Sequence, residues 1–484
     1  MEDELTVDKI RGKIIKGVVV LTGRTFILQA IALVSTFLLT VFLNPSQYGT
    51  FFLVSAVISF FAFFSDIGLA AALIQKKETL TTEELKTTFT VQQILVIILI
   101  VVILILSPFI KDWYNLSNEA TYLIYALAIS LFLSSLKTIP SVILERKLDF
   151  NKLVIPQIAE TILFYLVAVY MAWKGFGINS FTAAVLVRGF SGLFLMYLLQ
   201  PWRIGFSLSK ESLKRLLKFG LPYQANTFLA VFKDDGLTAL LGSILGASGL
   251  GYLAWAQKWA NAPLRFFMDQ VIKVTFPAYS RLQNEPMELS KALNRSVFFI
   301  CLFVFPTLIG LIIIAPLLTH IIPKYEKWEP ALLALSLISI NTIFAAVTTP
   351  LTNLLNAIGK IKITFRLMVM WTALTWILVP SLSLKFGVNG AATGYAIVGF
   401  SSLIAIYVAS KFIKINFWES VGKPLVSTAL MGLGMYIGQM YLPVSTATVI
   451  LLIFLGILIY SGSIIIFVGQ SILLDFKKIL QNLR

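Results

Sequence analysis

Stretches of about 20 consecutive apolar residues, the length that crosses the hydrocarbon core of a bilayer as a helix, follow one another along almost the whole chain. They fall near 17–43, 49–74, 89–110, 120–144, 153–173, 180–200, 219–245, 249–277, 296–322, 331–356, 364–384, 388–410, 424–442 and 447–470. Inside lipid every backbone N–H and C=O must be satisfied within the protein, and runs of this length do so as helices. The reading is therefore an all-α polytopic membrane protein with about 14 transmembrane helices. Composition agrees, because only 13% of the residues are charged, against roughly 25% in a soluble domain. The amino end is polar, so no cleaved signal is expected. One cysteine, Cys301, and one histidine, His320, exclude an intramolecular disulfide and a multi-histidine or thiolate metal centre. No cofactor, metal or catalytic residue is expected, and both residues read as ordinary members of their spans.

The net charge of +16 suggests nucleic acid until the basic residues are placed. With the amino end inside, the cytoplasmic segments hold 27 of the 39 lysines and arginines, and the outer segments hold five: Lys111, Lys174, Lys324, Lys327 and Lys385. This asymmetry places both termini in the cytoplasm and accounts for most of the charge without nucleic acid. The longest cytoplasmic links, about 75–88, 201–218 and 278–295, are amphipathic. "SKESLKRLLKFG" (Ser209 to Gly220) reads as a surface helix on the anionic lipids of the inner leaflet.

The chain repeats itself. "FGINSFTAAVLVRGFSGLFLMY" from Phe176 matches "FGVNGAATGYAIVGFSSLIAIY" from Phe386 at an offset of 210, which also pairs Pro140 with Pro350. "SQYG" from Ser46 and "SGLG" from Ser248 match at an offset of 202. Six spans separate equivalent positions, and an even number makes the repeat parallel, as in transporters built of two similar halves. The expected division is 1–200 as a first six-helix lobe, 201–218 as a cytoplasmic amphipathic linker, 219–412 as a second six-helix lobe, and 413–484 as two extra C-terminal helices. A central cavity is expected between the lobes, with alternating access to the two sides.

Charges inside the spans point to that cavity. An ionisable group near a helix centre costs at least ~2.5 kcal/mol and generally faces protein or water. Such groups are Arg24, Asp66, Glu160, Arg188, the run Lys233-Asp234-Asp235, and Lys258, Arg265 and Asp269. Lys258, Asn261, Arg265, Asp269 and Lys273 follow spacings of 3, 4, 4 and 4, which keeps them within about 120° of arc on one helix. Lys233 and Asp235 point nearly opposite ways on a regular helix, so this helix is either polar on two facets or loosened at Gly236. The cations suit an anionic group. The carboxylates neutralise them or carry a coupling ion, and pairing among these charges to hold helices together is the alternative. Lys137 and Lys273 lie near cytoplasmic ends and are expected to snorkel.

"YGTFFLVSAVISFFAFFSDIGLAAALIQKKETLTTEEL" (Tyr48 to Leu85), "IPSVILERKLDFNKL" (Ile139 to Leu153), "LLKFGLPYQAN" (Leu216 to Asn226) and "FPAYSRLQ" (Phe276 to Gln283) resemble the polysaccharide repeat-unit flippases of the Wzx type. Their superfamily also holds the multidrug and oligosaccharidyl-lipid exporters and the lipid II flippases. The resemblance implies two six-helix lobes and transfer of a polyprenyl-pyrophosphate-linked oligosaccharide from the inner to the outer leaflet. It implies contact of Arg24, Arg188, Lys233, Lys258 and Arg265, with Asn261 on the same track, with the substrate. Asp66, Glu160, Asp234, Asp235 and Asp269 are then groups for ion coupling or charge pairing. Members commonly carry an Asp near Asp234, and the adjacent Lys233 and Asp235 depart from that pattern. Asp66 in "SDIGL" equally suits a helix cap. Other polysaccharide-assembly membrane proteins are the expected protein partners. The absence of a Walker motif leaves an Na+ or H+ gradient, or the membrane potential, to drive transport. The competing readings are an ion-coupled multidrug antiporter of the same fold, whose cavity would be richer in carboxylates, and a membrane polysaccharide polymerase or ligase, which would carry a sizeable outer loop.

Overall fold

Helix begins where the sequence supplies a cap. Asn44 accepts from the Gln47 amide at 2.8 Å while the Gln47 side chain accepts from the Asn44 amide at 3.0 Å, and Pro45 follows at the first helical position. Thr81 and Glu84 form the same reciprocal box before the next long helix. Each such box satisfies two of the four amides that a helix start leaves unpaired. In the computed structural model residues 7–469 are described, excluding the side chains of residues 7–22 and of Asn226, Asp269, Gln270 and Val274. The described chain folds as two compact units, Met1–Gly251 and Tyr252–Arg484.

The first unit contains α1 (Val7–Phe42), α2 (Pro45–Ala62), α3 (Leu69–Gln75), α4 (Thr82–Trp113), α5 (Asn118–Leu136), α6 (Thr138–Arg146), α7 (Phe150–Trp173), α8 (Asn179–Leu199) and α9 (Lys210–Val231). A π-helical turn at Phe232–Gly236 leads into α10 (Leu237–Arg281). Within it α7 packs on α8, α8 on α5, and α1 on α7. Phe51 of α2 stacks on Phe181 of α8 with ring centres 3.9 Å apart. At the other end of the unit Leu69, Leu73, Phe89, Ile139, Val142 and Leu216 form a buried cluster.

Ser209–Gly220, expected as a surface helix with its basic residues on one side, lies against that cluster. Leu216 is buried in it, and Leu213 and Leu217 pack against it, so protein covers the apolar side. Lys214, Arg215 and Lys218 are left exposed. The linker and the seventh span are one helix, because α9 runs from Lys210 through the expected boundary.

The second unit holds the remainder of α10, with α11 (Pro286–Ile321), α12 (Leu332–Ala357), α13 (Ile361–Ser410), α14 (Lys423–Tyr441) and α15 (Thr446–Val468). Its core is the 3–4-spaced stripe Leu293, Val297, Ile300, Val304 and Leu308 on α11, packed with Leu351 and Leu354 of α12. The two C-terminal helices dock on α11 through Leu317, Met431, Met435, Val449 and Leu452. Asn294 secures the join by accepting from the Asn416 amide at 2.9 Å and the Ser420 hydroxyl at 2.8 Å.

Eleven apolar helical runs long enough to cross a bilayer lie among the described residues. Two of them, Lys210–Arg281 and Ile361–Ser410, each hold two of the expected spans. Gly246 (φ 67°, ψ 177°) divides the first and Gly387 (φ 57°, ψ −137°) the second. α14 is the one expected span outside these runs. The architecture is that of an all-helical polytopic membrane protein. Gly177 and Gly387, paired by the 210-residue offset, share the left-handed φ, at 56° and 57°. Glycine has no Cβ to oppose that conformation, so the repeat extends to the backbone.

Candidate functional site

Each unit carries charges within its spans. In the first, Glu160 of α7 is buried and faces two cations. Lys137, between α5 and α6, donates to Oε1 at 2.5 Å, and the Arg188 Nε of α8 lies 3.8 Å from Oε2. Gly192 makes this approach feasible, since a Cβ there would sit 1.7 Å from Glu160 Oε1. Arg188 also lies over the Phe164 ring, 5.9 Å from its centroid. Its side chain is 55% exposed. The exposed aromatics of α8, Phe190 and Phe194, project about 160° and 120° around the helix from it. Arg188 therefore borders the buried face of α8 and points away from the apolar surface suited to lipid.

Lys137 does not snorkel as expected. Its side chain is only 15% exposed and turns inward to Glu160, because an ion pair inside protein replaces the hydration that a buried carboxylate loses. Nearby polar groups reinforce this region. Gln92 donates to Thr138 Oγ1 at 2.9 Å, and Gln93 donates to Ser135 Oγ at 3.1 Å. Arg24 is half-buried on α1, and its Nε is enclosed without an acceptor among the described residues.

Asp66 accepts from the Leu69 and Ala70 amides at 2.8 and 3.4 Å, and so caps α3. Lys233, Asp234 and Asp235 lie in the π turn. Of the two explanations for this run, the local irregularity is the one found, and turns of this type recur at functional sites. Asp234 is 72% exposed, 3.6 Å from Lys233 Nζ, while Asp235 is half-buried.

In the second unit Lys258 and Asn261 are half-buried and Arg265 is exposed on α10. Asn261 accepts from the Thr342 hydroxyl of α12 at 3.1 Å. The Asp269 side chain lies outside the described residues. The structure brings Arg188 to 3.8 Å from Glu160, a pairing the sequence did not specify, and adds Lys137, which the sequence reading set aside. The one local signal for Lys137 was a lysine three residues before Pro140, where α5 must end and α6 begin.

The structure is that of a helical membrane protein that carries basic side chains, Arg188 among them, within its apolar spans. The model of the polysaccharide biosynthesis protein family matches residues 38–333, and the chain belongs to that family. It is 24% identical over 412 residues to the lipopolysaccharide biosynthesis protein WzxC of Escherichia coli (strain K12), covering 82% of this chain and 81% of that protein. It is 24% identical over 382 residues to the teichuronic acid biosynthesis protein TuaB of Bacillus subtilis (strain 168), covering 76% of this chain and 77% of that protein. In fold it is similar to the lipid II flippase MurJ in an inward closed conformation, with a TM-score of 0.73 at 16% identity over 93% of this chain and 99% of that one.

Proposed function

We propose that this protein is a transporter that moves polyprenyl-diphosphate-linked oligosaccharide repeat units from the inner to the outer leaflet of the cytoplasmic membrane by alternating access, for surface polysaccharide synthesis. The observation that carries the reading is Arg188, a guanidinium within an apolar span, half exposed and directed away from the lipid-facing arc of its helix. A diphosphate cannot cross hydrocarbon unaccompanied, and a guanidinium meets phosphate oxygens with parallel, charge-assisted hydrogen bonds. In the second unit, Lys258 and Arg265 are the cations assigned to the same ligand. The family membership, the two relatives named for lipopolysaccharide and teichuronic acid biosynthesis, and the fold of a lipid II flippase all support this substrate class. Both termini are cytoplasmic in this reading, the two six-helix lobes are the moving parts, and an ion gradient or the membrane potential supplies the drive.

The test is leaflet exchange of a fluorescent polyprenyl-diphosphate oligosaccharide in proteoliposomes. Wild-type protein accelerates exchange, Arg188→Ala abolishes it with the amount of folded protein unchanged, and Arg188→Lys retains part of it. Full exchange in Arg188→Ala refutes the assigned role.

A further inference from the structure

The three charges of the first unit are not equivalent. Lys137 holds Glu160 Oε1 at hydrogen-bond distance, whereas Arg188 stands 3.8 Å from Oε2, beyond the 2.7–3.2 Å of a made bond. A guanidinium binds a carboxylate most strongly through both oxygens at once, and Lys137 has taken one of them. Gly192 leaves the space in which the carboxylate reaches Lys137. The result is a neutral Lys137–Glu160 pair next to an arginine that is loosely tethered and more than half exposed.

We propose that Lys137 is a positioning residue for anion binding: by occupying one oxygen of Glu160 it prevents the carboxylate from clamping Arg188 and keeps that guanidinium available to the diphosphate of the substrate. The inference rests on the reading of Arg188 as an anion-binding group. Without Lys137, Glu160 is left as a buried carboxylate facing one cation, and a buried charge does not remain unpaired where a partner is near. Arg188 then closes on both oxygens and is withdrawn from the ligand. Lys137 touches no ligand in this account. It acts through Glu160 on Arg188.

The experiment is a binding titration of purified full-length protein in detergent with farnesyl diphosphate as the probe, run on a mutant cycle. Lys137→Ala weakens binding about tenfold, the scale of coupling between contacting residues. Glu160→Gln alone tightens it, because no carboxylate competes for Arg188, and Lys137→Ala with Glu160→Gln binds as tightly as Glu160→Gln alone. In an Arg188→Ala background, Lys137→Ala changes nothing further. A merely structural Lys137, or one acting through its field alone, still weakens binding in that background, and either result overturns the inference. If Lys137→Ala does not fold, Glu160→Gln decides alone, since weaker binding there overturns the proposal. Binding by wild type that Arg188→Ala leaves intact removes the reading of Arg188 and the inference with it. A functional wild type with an inert Lys137→Ala sinks only the inference.

Discussion

Gly49 and Gly251, which occupy matching positions in the repeated Ser-x-x-Gly stretches, pack back to back. A Cβ on Gly49 would lie 1.8 Å from the Ala247 carbonyl oxygen, and one on Gly251 would lie 1.9 Å from that of Pro45. The obstacles are backbone atoms, which cannot rotate aside. Alanine is the better helix former by up to ~1 kcal/mol, but overpacking costs about 1–3 kcal/mol, so the clash decides the sign. Gly49→Ala and Gly251→Ala each lower the melting temperature in detergent. An unchanged or raised melting point would show that these helices are free to separate.

The paired glycines of the longer repeat differ in surroundings. Gly177 and Gly387 share a left-handed φ, so alanine at either costs about 1–2 kcal/mol in backbone strain. A Cβ on Gly177 also meets Gln47 Nε2 at 2.6 Å, while one on Gly387 meets nothing within 4 Å. Gln47 completes the cap of α2, so Gly177→Ala disturbs a second element. Thermal melts are expected to show a larger loss for Gly177→Ala than for Gly387→Ala, and the reverse order would contradict the environments described.

Spans, repeat and family were legible in the sequence because lipid permits few backbone solutions and each leaves a long apolar run. The capping box of Thr81 and Glu84 was not read, although its two residues stand three apart in the sequence. The rest of what escaped was tertiary. Lys137, Glu160 and Arg188 stand on three elements, separated by 23 and 28 positions, and no local pattern says that they meet. Arg188 alone looked like a buried charge, and Lys137 alone like a helix-end lysine. Ser209–Gly220 was legible as an amphipathic stretch, but the cover of its apolar side by α3, α4 and α6 was not. For Lys233-Asp234-Asp235 the sequence left two explanations open, and only the structure shows the π turn.

Glu84 holds the start of α4 to Lys76, which follows α3. It is fully buried, accepts from Lys76 Nζ at 2.7 and 2.9 Å, and lies 3.5 Å from Arg215 of α9. Arg215 is 65% exposed, and water screens its contribution, so most of the pairing rests on Lys76. Glu84→Ala leaves Lys76 without its partner and breaks the cap, for about 3 kcal/mol or more. Glu84→Gln costs less because it keeps a capping oxygen. Limited proteolysis reads the outcome, with the segment 76–81 cut sooner in Glu84→Ala than in Glu84→Gln, and sooner in both than in wild type. Equal cutting rates would show that Glu84 does not anchor the start of α4.

Gly192→Ala tests the same triad without touching a charge. Its Cβ would fall 1.7 Å from Glu160 Oε1, so the carboxylate must leave Lys137. Its other oxygen already faces Arg188. Weaker binding of farnesyl diphosphate is expected, in the direction of Lys137→Ala, and Glu160→Gln restores it by removing the competing charge. Wild-type affinity in Gly192→Ala would mean that the carboxylate moves without reaching Arg188.

The charge asymmetry across the loops makes a geometric prediction about α13. Lys385 precedes the Gly387 break and Lys411 follows the last residue of the helix, and both are exposed. The intervening 388–410 segment is about 35 Å long at 1.5 Å per residue, which exceeds the roughly 30 Å of hydrocarbon and puts the two lysines on opposite sides. Amino- and carboxyl-terminal ends in the cytoplasm require Lys385 outside and Lys411 inside. The single native cysteine, Cys301, is buried, so an introduced cysteine is read against a low background. In intact cells an impermeant maleimide labels Lys385→Cys, and it labels Lys411→Cys only after permeabilisation. The opposite pattern would invert the topology, and with it the direction of transport assigned to the protein.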